Sequence, residues 1–405
     1  MKTGKLQPVT VISSWGKTVS FTGVLRHIVA AFGKDRPVYV LALDQRGDVR
    51  CEQNITVIPV HCDGYQPLKA QLVFEAVRRI QPAAVFFYFD LFAAQYYYEV
   101  LLQIQRTIAP VVIYLPIDGA LCNIHPLRPV TGVERVVFFT GAAQRRFLTL
   151  NADISTPAEQ KFLENKCRVI GHGVNQRQFF PTEGGAPAAK RKVFPNHPGL
   201  ENIPVILNGN RPWERKRLDL TLEGFARFLA DNGPQAFLYL HLSGAAASER
   251  MAIENKIDEL DIRRSVLLPN STWTSVEGLN LIYNACEIGL NTAMGEGWGL
   301  ISCEHGAAGA VQIVPDDEQQ RDIWGSSALY AEISGKTGVW ACPHVEYGVV
   351  DPGSVARSLG ALCSDHSWMR ERARAARVQM QDDRFSWARI EAQWAALFEE
   401  IMNRG

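Results

Sequence analysis

The chain has 405 residues, and its 42 Lys and Arg are balanced by 42 Asp and Glu, so the formal net charge is zero. With 47% hydrophobic and 21% charged residues, disordered, collagen-like and coiled-coil chains are excluded, and at this length two domains of roughly 200 residues are expected. A neutral total argues against a protein that coats nucleic acid, although residues 1–180 carry 20 basic side chains against 13 acidic ones, and residues 181–405 carry 22 against 29.

The front half alternates short apolar runs with helical stretches. Val9–Ser13 reads as a strand, followed by a Gly-containing loop and a helix over Gly23–Phe32. Val38–Leu43 and Ile55–Val60 are further strands, a helix over Leu68–Arg79 precedes the strand Ala83–Phe89, and Val111–Leu115 and Val136–Phe139 follow. Runs nearly continuous in Val, Ile and Phe, separated by helices, predict a parallel sheet buried on both faces. Pro181–Pro204 breaks the pattern with Pro, Gly and Ala, and reads as a linker or exposed loop. Alternation then resumes: strands at Val205–Asn208, Phe237–Leu242, Ser265–Leu268, Ile288–Asn291 and Val311–Val314, with helices at Leu218–Asp231, Ser248–Asp258, Val276–Ala285 and from about Gly299. Ser354–Cys363, Trp368–Met380 and an amphipathic Trp387–Met402 complete the helices. Two consecutive Rossmann-like α/β domains with a closing helix are predicted.

Eight scattered cysteines, none at metal-ligand spacing, predict free thiols in a reducing compartment. Met1–Thr10 lacks the apolar core of a signal peptide, and the longest apolar run, Ala83–Phe89, is strand-sized. A soluble, cytoplasmic protein is expected.

In such sheets ligands bind beyond the strand C-terminal ends. After the first strand, Gly16 and Gly23 sit ahead of or within a helix start, where backbone N–H groups could approach a phosphate; a plain turn is the alternative. Asn208-Gly-Asn-Arg-Pro-Trp-Glu-Arg-Lys-Arg217 places four cations within seven residues. It is either a solvated basic patch or a site where Arg211 and Lys216 hold a pyrophosphate. Asn291–Gly309 is the most informative stretch: a strand, a Gly-rich loop holding Glu296, then a helix carrying Glu304 among Ile301, Cys303, Ala307 and Ala308. A helix N-terminus behind three glycines is an anion site, and an acid on an apolar helix face wants a specific partner such as ribose hydroxyls.

Glu296 and Glu304 resemble the E-x7-E element of retaining glycosyltransferases of the GT-B fold, the group-one (family four) glycosyl transferases. Gly295–Val314 is similar to that family's "YEGFGLPxLEAMAxGxPVI". Val169–Pro181 resembles its "xIxHGVDxxxFxP", Asn208–Lys216 its "GRxxxxK", and Phe385-Ser-Trp387 its "FSW", covering residues 165–400 well and 10–165 loosely. The resemblance implies a GT-B architecture, two Rossmann-like domains facing each other across a cleft. They comprise an acceptor domain at 1–180, a nucleotide-sugar donor domain at 181–384, and a helix at 385–405 packing back on the first. It implies transfer of a hexose from a nucleoside-diphosphate sugar, UDP or GDP type, to a sugar, glycan or lipid-linked acceptor in polysaccharide or glycoconjugate synthesis, with retention of configuration.

By the same resemblance Glu296 would bind donor-sugar hydroxyls, with the backbone of Gly297, Trp298 and Gly299 near the sugar and phosphates. Glu304 would bind the ribose, Arg211 and Lys216 the diphosphate, Gly23 or Gly16 would add a contact from the first domain, and the loop at Asn270 would border the base. The pattern departs in two places: Asn210 displaces the Arg by one, and Asp118 has no neighbouring His, His125 lying seven residues on. Asp118 is left as the candidate for acceptor contacts, and His172 is read as structural. The Asp316-Asp-Glu318 run reads as a solvated turn rather than a metal site, no cofactor is expected, and the departing phosphate would accept the acceptor's proton. Arg215 and Arg217 are expected to face solvent. Arg78-Arg79, Arg128 and Arg145-Arg146 either turn the basic front half toward an anionic acceptor or membrane surface or form a solvated surface of no consequence. The competing readings are a non-catalytic nucleotide-sugar-binding subunit and a nicotinamide-dependent oxidoreductase. Against the latter, the first strand lacks G-x-G-x-x-G.

Overall fold

The structure is a computed structural model and describes residues 6–16, 20–33, 36–43, 45–61, 66–242, 244–268, 275–338, 342 and 344–403. It divides into two compact units, the first comprising Met1–His172, Gly338–Val345 and Trp387–Gly405, the second Gly173–Thr337 and Glu346–Ser386. The chain therefore leaves the first unit at 172, eight residues before the boundary drawn from the sequence, and revisits it through 338–345.

The first unit holds strands β1 (Val9–Ser13), β2 (Val38–Ala42), β3 (Arg50–Glu52), β4 (Ile55–Pro59), β5 (Ala84–Tyr88), β6 (Val111–Leu115), β8 (Arg135–Phe138) and β9 (Cys167–Val169), with the two-residue β7 (Ala120–Leu121) outside this sheet. Sheet order is β3-β4-β2-β1-β5-β6-β8-β9, and every pairing is parallel except the antiparallel β3–β4. Every residue of β1, β5 and β6 is buried, which is why these runs carry no alternation. The short β3 and β9 were not anticipated. Both sit at the sheet edges, where three residues and few apolar side chains suffice.

The second unit holds a wholly parallel sheet of β10 (Val205–Asn208), β11 (Phe237–Leu240), β12 (Val266–Leu267), β13 (Ile288–Leu290), β14 (Val311–Pro315) and β15 (Leu329–Ala331), ordered β12-β11-β10-β13-β14-β15. Its core gathers Ile206, Leu238, Ile288 and Ile313 of the sheet with Leu222, Phe225 and Phe228 of the helix Leu218–Asn232. Gly224 of that helix faces Val355, whose Cγ1 lies 2.6 Å from where a β-carbon would stand, so the helix packs against Pro352–Ser364 at a distance closed to side chains.

The stretch Pro181–Pro204 is not an open linker. Gly185–Val193 is a helix, Leu200–Asn202 a single 3-10 turn, and Lys190 is 1% exposed. Its Nζ donates to Glu287 at 2.5 Å and to the Ile203 carbonyl at 2.6 Å. A buried lysine persists when both partners are supplied, and these are 97 and 13 residues away in sequence.

Candidate functional site

In the second unit, two loops at the C-terminal ends of adjacent strands β10 and β13 are stitched together by buried amides. Asn208 Oδ1 accepts from the Asn210 N–H and side chain, both at 3.0 Å, and Asn210 Nδ2 also donates to Asn291 Oδ1 at 3.2 Å. Asn208 in turn donates to Thr221 Oγ1 at 2.8 Å, and the Thr221 and Thr292 hydroxyls are 2.6 Å apart. Thr292 Oγ1 donates to the Arg217 carbonyl at 2.9 Å, and the Ala293 N–H to Asn291 Oδ1 at 3.0 Å. The three asparagines and both threonines are buried, and buried amides are kept only when their hydrogen bonds are made. The extra residue Asn210, which displaces Arg211 from the expected spacing, is a member of this network. The signal for it was present as an Asn closing or following each strand.

The network fixes where the charges meet. Lys216 donates through Nζ to Glu296 Oε2, with side-chain exposures of 13% and 12%. Arg215 donates to the Gly295 carbonyl, and its own carbonyl accepts from the Met294 N–H at 2.9 Å. Arg215 is thus turned into the site rather than toward solvent, because Gly295 supplies an acceptor. Arg217, at φ 45°, is occupied by a bidentate pair with Asp219. Arg211 lies with its guanidinium 5.6 Å from the centre of the exposed Trp213 ring. Burial alone would raise the Glu296 carboxyl, but Lys216 and Arg215 outweigh it and hold the group below the usual carboxylate range.

The loop 295–299 ends at Gly299, φ 89°, the N-cap of the helix Leu300–Ala307. A β-carbon there would stand 3.3 Å from Glu296 Cγ, so glycine both permits the left-handed turn and leaves the acid its room. From behind, Gln320 donates through Nε2 to the carbonyls of Glu296 at 3.4 Å and Trp298 at 3.3 Å. Trp298 is 7% exposed and packs edge-on to Phe385 at 5.9 Å. On the helix, Glu304 accepts from the Tyr283 hydroxyl at 2.9 Å. That partner was missed: its 21-residue separation carries no local pattern. Burial pushes Glu304 up to about 7, with the Tyr283 hydrogen bond working against the rise.

Other residues singled out from the sequence lie elsewhere. Asp316 accepts from Arg321, and Asp317 caps the helix Glu318–Trp324 through the Gln320 N–H at 2.7 Å, so both serve the chain itself. Asn270 falls outside the described residues. Gly16, Gly23 and Asp118 belong to the first unit. The Gly16 N–H donates to Thr22 Oγ1 at 2.8 Å, while Gly23 stands in the helix Ser20–Ala30 with open space over its α-carbon. Asp118, with Asp90, raises the buried Tyr88 hydroxyl further above its ordinary range, after burial itself. His125 lines a cavity of about 460 Å3 with Gln95, Tyr98, Glu99 and Arg128. Arg78 is paired with Glu75, and Arg146 donates to the Leu121 carbonyl. His172 is buried among Tyr114, 5.6 Å away and stacked, and Phe139 at 4.4 Å; burial holds its imidazole down at about 3, neutral at physiological pH. Among the described residues no group of three or more His, Cys, Asp or Glu is placed to hold a metal ion, and no helix is long and apolar enough to cross a membrane.

If Glu304 accepts hydrogen bonds from a nucleotide's ribose, it must be ionised to do so fully. UDP affinity at pH 8 is then expected to fall about ten-fold or more in Glu304→Gln, since a charge-assisted hydrogen bond is worth ~1.5–3 kcal/mol. At pH 6, below the raised midpoint, wild type loses part of its advantage and the gap narrows. Titration calorimetry at both values checks this, and equal affinities at pH 8 would remove Glu304 from the site.

No family model matches this sequence, and no curated protein matches it either. Solved structures do resemble its fold along nearly its whole length. Anabaena HepE in complex with UDP-glucose shares 14% identity at a TM-score of 0.71, covering 97% of this chain and 100% of that one. Sucrose-phosphate synthase from Thermosynechococcus elongatus shares 17% at 0.68, covering 98% and 100%. An α,α-trehalose 6-phosphate synthase from Burkholderia multivorans shares 12% at 0.71, covering 98% of both. The fold is mixed α/β with parallel sheets, and it is the GT-B fold of glycosyltransferases.

Proposed function

We propose that the chain is a glycosyltransferase that moves a sugar from a nucleoside-diphosphate sugar to an acceptor hydroxyl, with retention of configuration. The observation that carries the reading is the meeting of Lys216, Arg215 and Glu296 at the glycine-led start of the helix Leu300–Ala307. Cations and a helix N-terminus facing one loop suit a diphosphate, and the adjacent carboxylate suits sugar hydroxyls. The neighbours named above include a UDP-glucose complex, which favours UDP as the first nucleotide to try.

Lys216 donates to Glu296 Oε2, so the cation that would meet the diphosphate and the acid that would meet donor hydroxyls lie side by side. As the glycosidic bond to the β-phosphate breaks, negative charge grows on that phosphate, and Lys216, Arg215, Arg211 and the backbone N–H groups of 297–299 stabilise it. The acceptor oxygen bonds to the anomeric carbon on the face the phosphate leaves, and its proton passes to the departing phosphate oxygen. These fixed cations do the electrostatic task a divalent ion does elsewhere, so turnover is expected to need none. UDP is expected to raise the melting temperature and NAD to leave it unchanged. The reverse pattern would favour the oxidoreductase reading, whereas donor binding without turnover would favour an assembly subunit.

A further inference from the structure

A second cationic cavity lies in the second unit, independent of the function proposed above. It measures about 270 Å3 and is walled by Pro181, Gly185, Ala186, the Tyr283 ring and three arginines of the helix His366–Gln381. Arg370, Arg374 and Arg377 stand at i, i+4 and i+7, which places all three on one helix face. They are exposed, and none forms an ion pair or side-chain hydrogen bond with a described residue. The acid in the wall, Glu287, is already engaged by Lys190 at 2.5 Å and by the Val205 N–H at 2.9 Å. Arg372, on the same helix, is spent on the Ser326 and Ala328 carbonyls. Like charges at these spacings destabilise a helix, so three unanswered guanidinium groups on a cavity wall call for an anion.

The wall opposite adds to this. The helix Gly185–Val193 starts at Gly184, φ 78°, which has no side chain to cap the first N–H groups. The Gly185 N–H is taken by the Thr182 carbonyl at 3.1 Å and Pro187 has none, so what the helix start brings to the cavity, which Gly185 and Ala186 line, is chiefly the positive end of its dipole. Gly184 is held to glycine by Ala188, whose β-carbon would stand 2.7 Å from an added one. A volume near 270 Å3 lies below the ~300–1,000 Å3 of ordinary small-molecule pockets. It admits a phosphoryl group and a few attached atoms, not a nucleotide. Guanidinium forks match tetrahedral phosphate oxygens bidentately, and three of them exceed what a monovalent carboxylate can answer.

We propose that this cavity is a binding site for a phosphate monoester, held by Arg370, Arg374 and Arg377 and separate from the Lys216 site. The source of that phosphate is either a soluble sugar or metabolite phosphate or a lipid headgroup. The test uses the full chain as wild type, Lys216→Ala, and the triple variant R370Q/R374Q/R377Q, titrated with inorganic phosphate at constant ionic strength and followed by thermal shift. Phosphate should stabilise wild type and Lys216→Ala alike, while the triple variant should need at least ten-fold more. A triple variant that responds like wild type overturns the site, and so does a response abolished by Lys216→Ala and kept by the triple variant. Sedimentation with vesicles containing phosphatidic acid, whose headgroup is a phosphate monoester, and with phosphatidylcholine vesicles separates the sources. Selective binding to the former, lost in the triple variant, assigns a lipid headgroup; phosphate binding without vesicle binding assigns a soluble ester.

Discussion

Lys216→Ala is expected to lose about 10²–10³ in turnover while remaining folded, the cost of removing one preorganised charge from a developing anion. The argument is local. Lys216 is 13% exposed and its partner Glu296 12%, so the pair works where water screens little. Removing the ammonium takes away the counter-charge that offsets the burial of Glu296, so the Glu296 carboxyl should rise toward neutrality and bind sugar hydroxyls less well. Both effects push the same way, and the loss should appear chiefly in kcat. Arg217→Ala should lose far less, because Arg217 is committed to Asp219. Arg215→Ala should fall between them, since its guanidinium holds the Gly295 carbonyl beside the reacting groups. Steady-state kinetics with circular dichroism as a folding control checks the order, and a Lys216→Ala enzyme as fast as wild type would place the phosphate elsewhere.

Trp394→Ala is expected to cost the first unit about 3–5 kcal/mol, the usual loss for a large buried aromatic. Trp394 stands on the final helix Trp387–Met402 and is 0% exposed. It meets Phe86 of β5 edge-on at 5.3 Å and Tyr114 of β6 at 4.9 Å. Phe398, one turn further, meets Phe32 at 4.4 Å, and Trp387 stacks on His27 at 3.9 Å while Glu391 accepts from that imidazole at 2.7 Å. The last helix is thus a structural layer on the first sheet, though the 217 residues from 170 to 386 separate it from the end of that sheet. A drop of roughly 6–20 °C in melting temperature should follow at this domain size. A loss under 1 kcal/mol by denaturant titration would mean that the helix does not cover the sheet.

Much of this is legible in the sequence. Strands such as Val111–Leu115 announce themselves by continuous apolar sequence, because a strand buried on both faces has no polar side to show. The loop 295–299 announced itself because three glycines at a strand-to-helix junction have few other uses. Orientation was not legible. Whether Arg215 faces water or the Gly295 carbonyl depends on a turn whose neighbours lie 80 residues away. The helix Gly185–Val193 hid behind a composition of Gly, Pro and Ala that suits a linker. Pro187 is tolerated in a first turn, and the alanines favour helix, but Lys190 becomes an anchor only through Glu287. An Asn closes or follows each of the two strands, but that Asn208, Asn210 and Asn291 bond to one another is not legible, because each amide alone reads as an ordinary turn residue.

If Lys216, Arg215 and Glu296 form the donor site of a glycosyltransferase, incubating the full chain with a panel of nucleoside-diphosphate sugars in EDTA should release nucleoside diphosphate. Release from at least one donor, undiminished by the chelator and reduced about a hundred-fold or more in Lys216→Ala, is the predicted result. No release from any donor with or without added magnesium or manganese, or release indifferent to Lys216, would contradict that assignment.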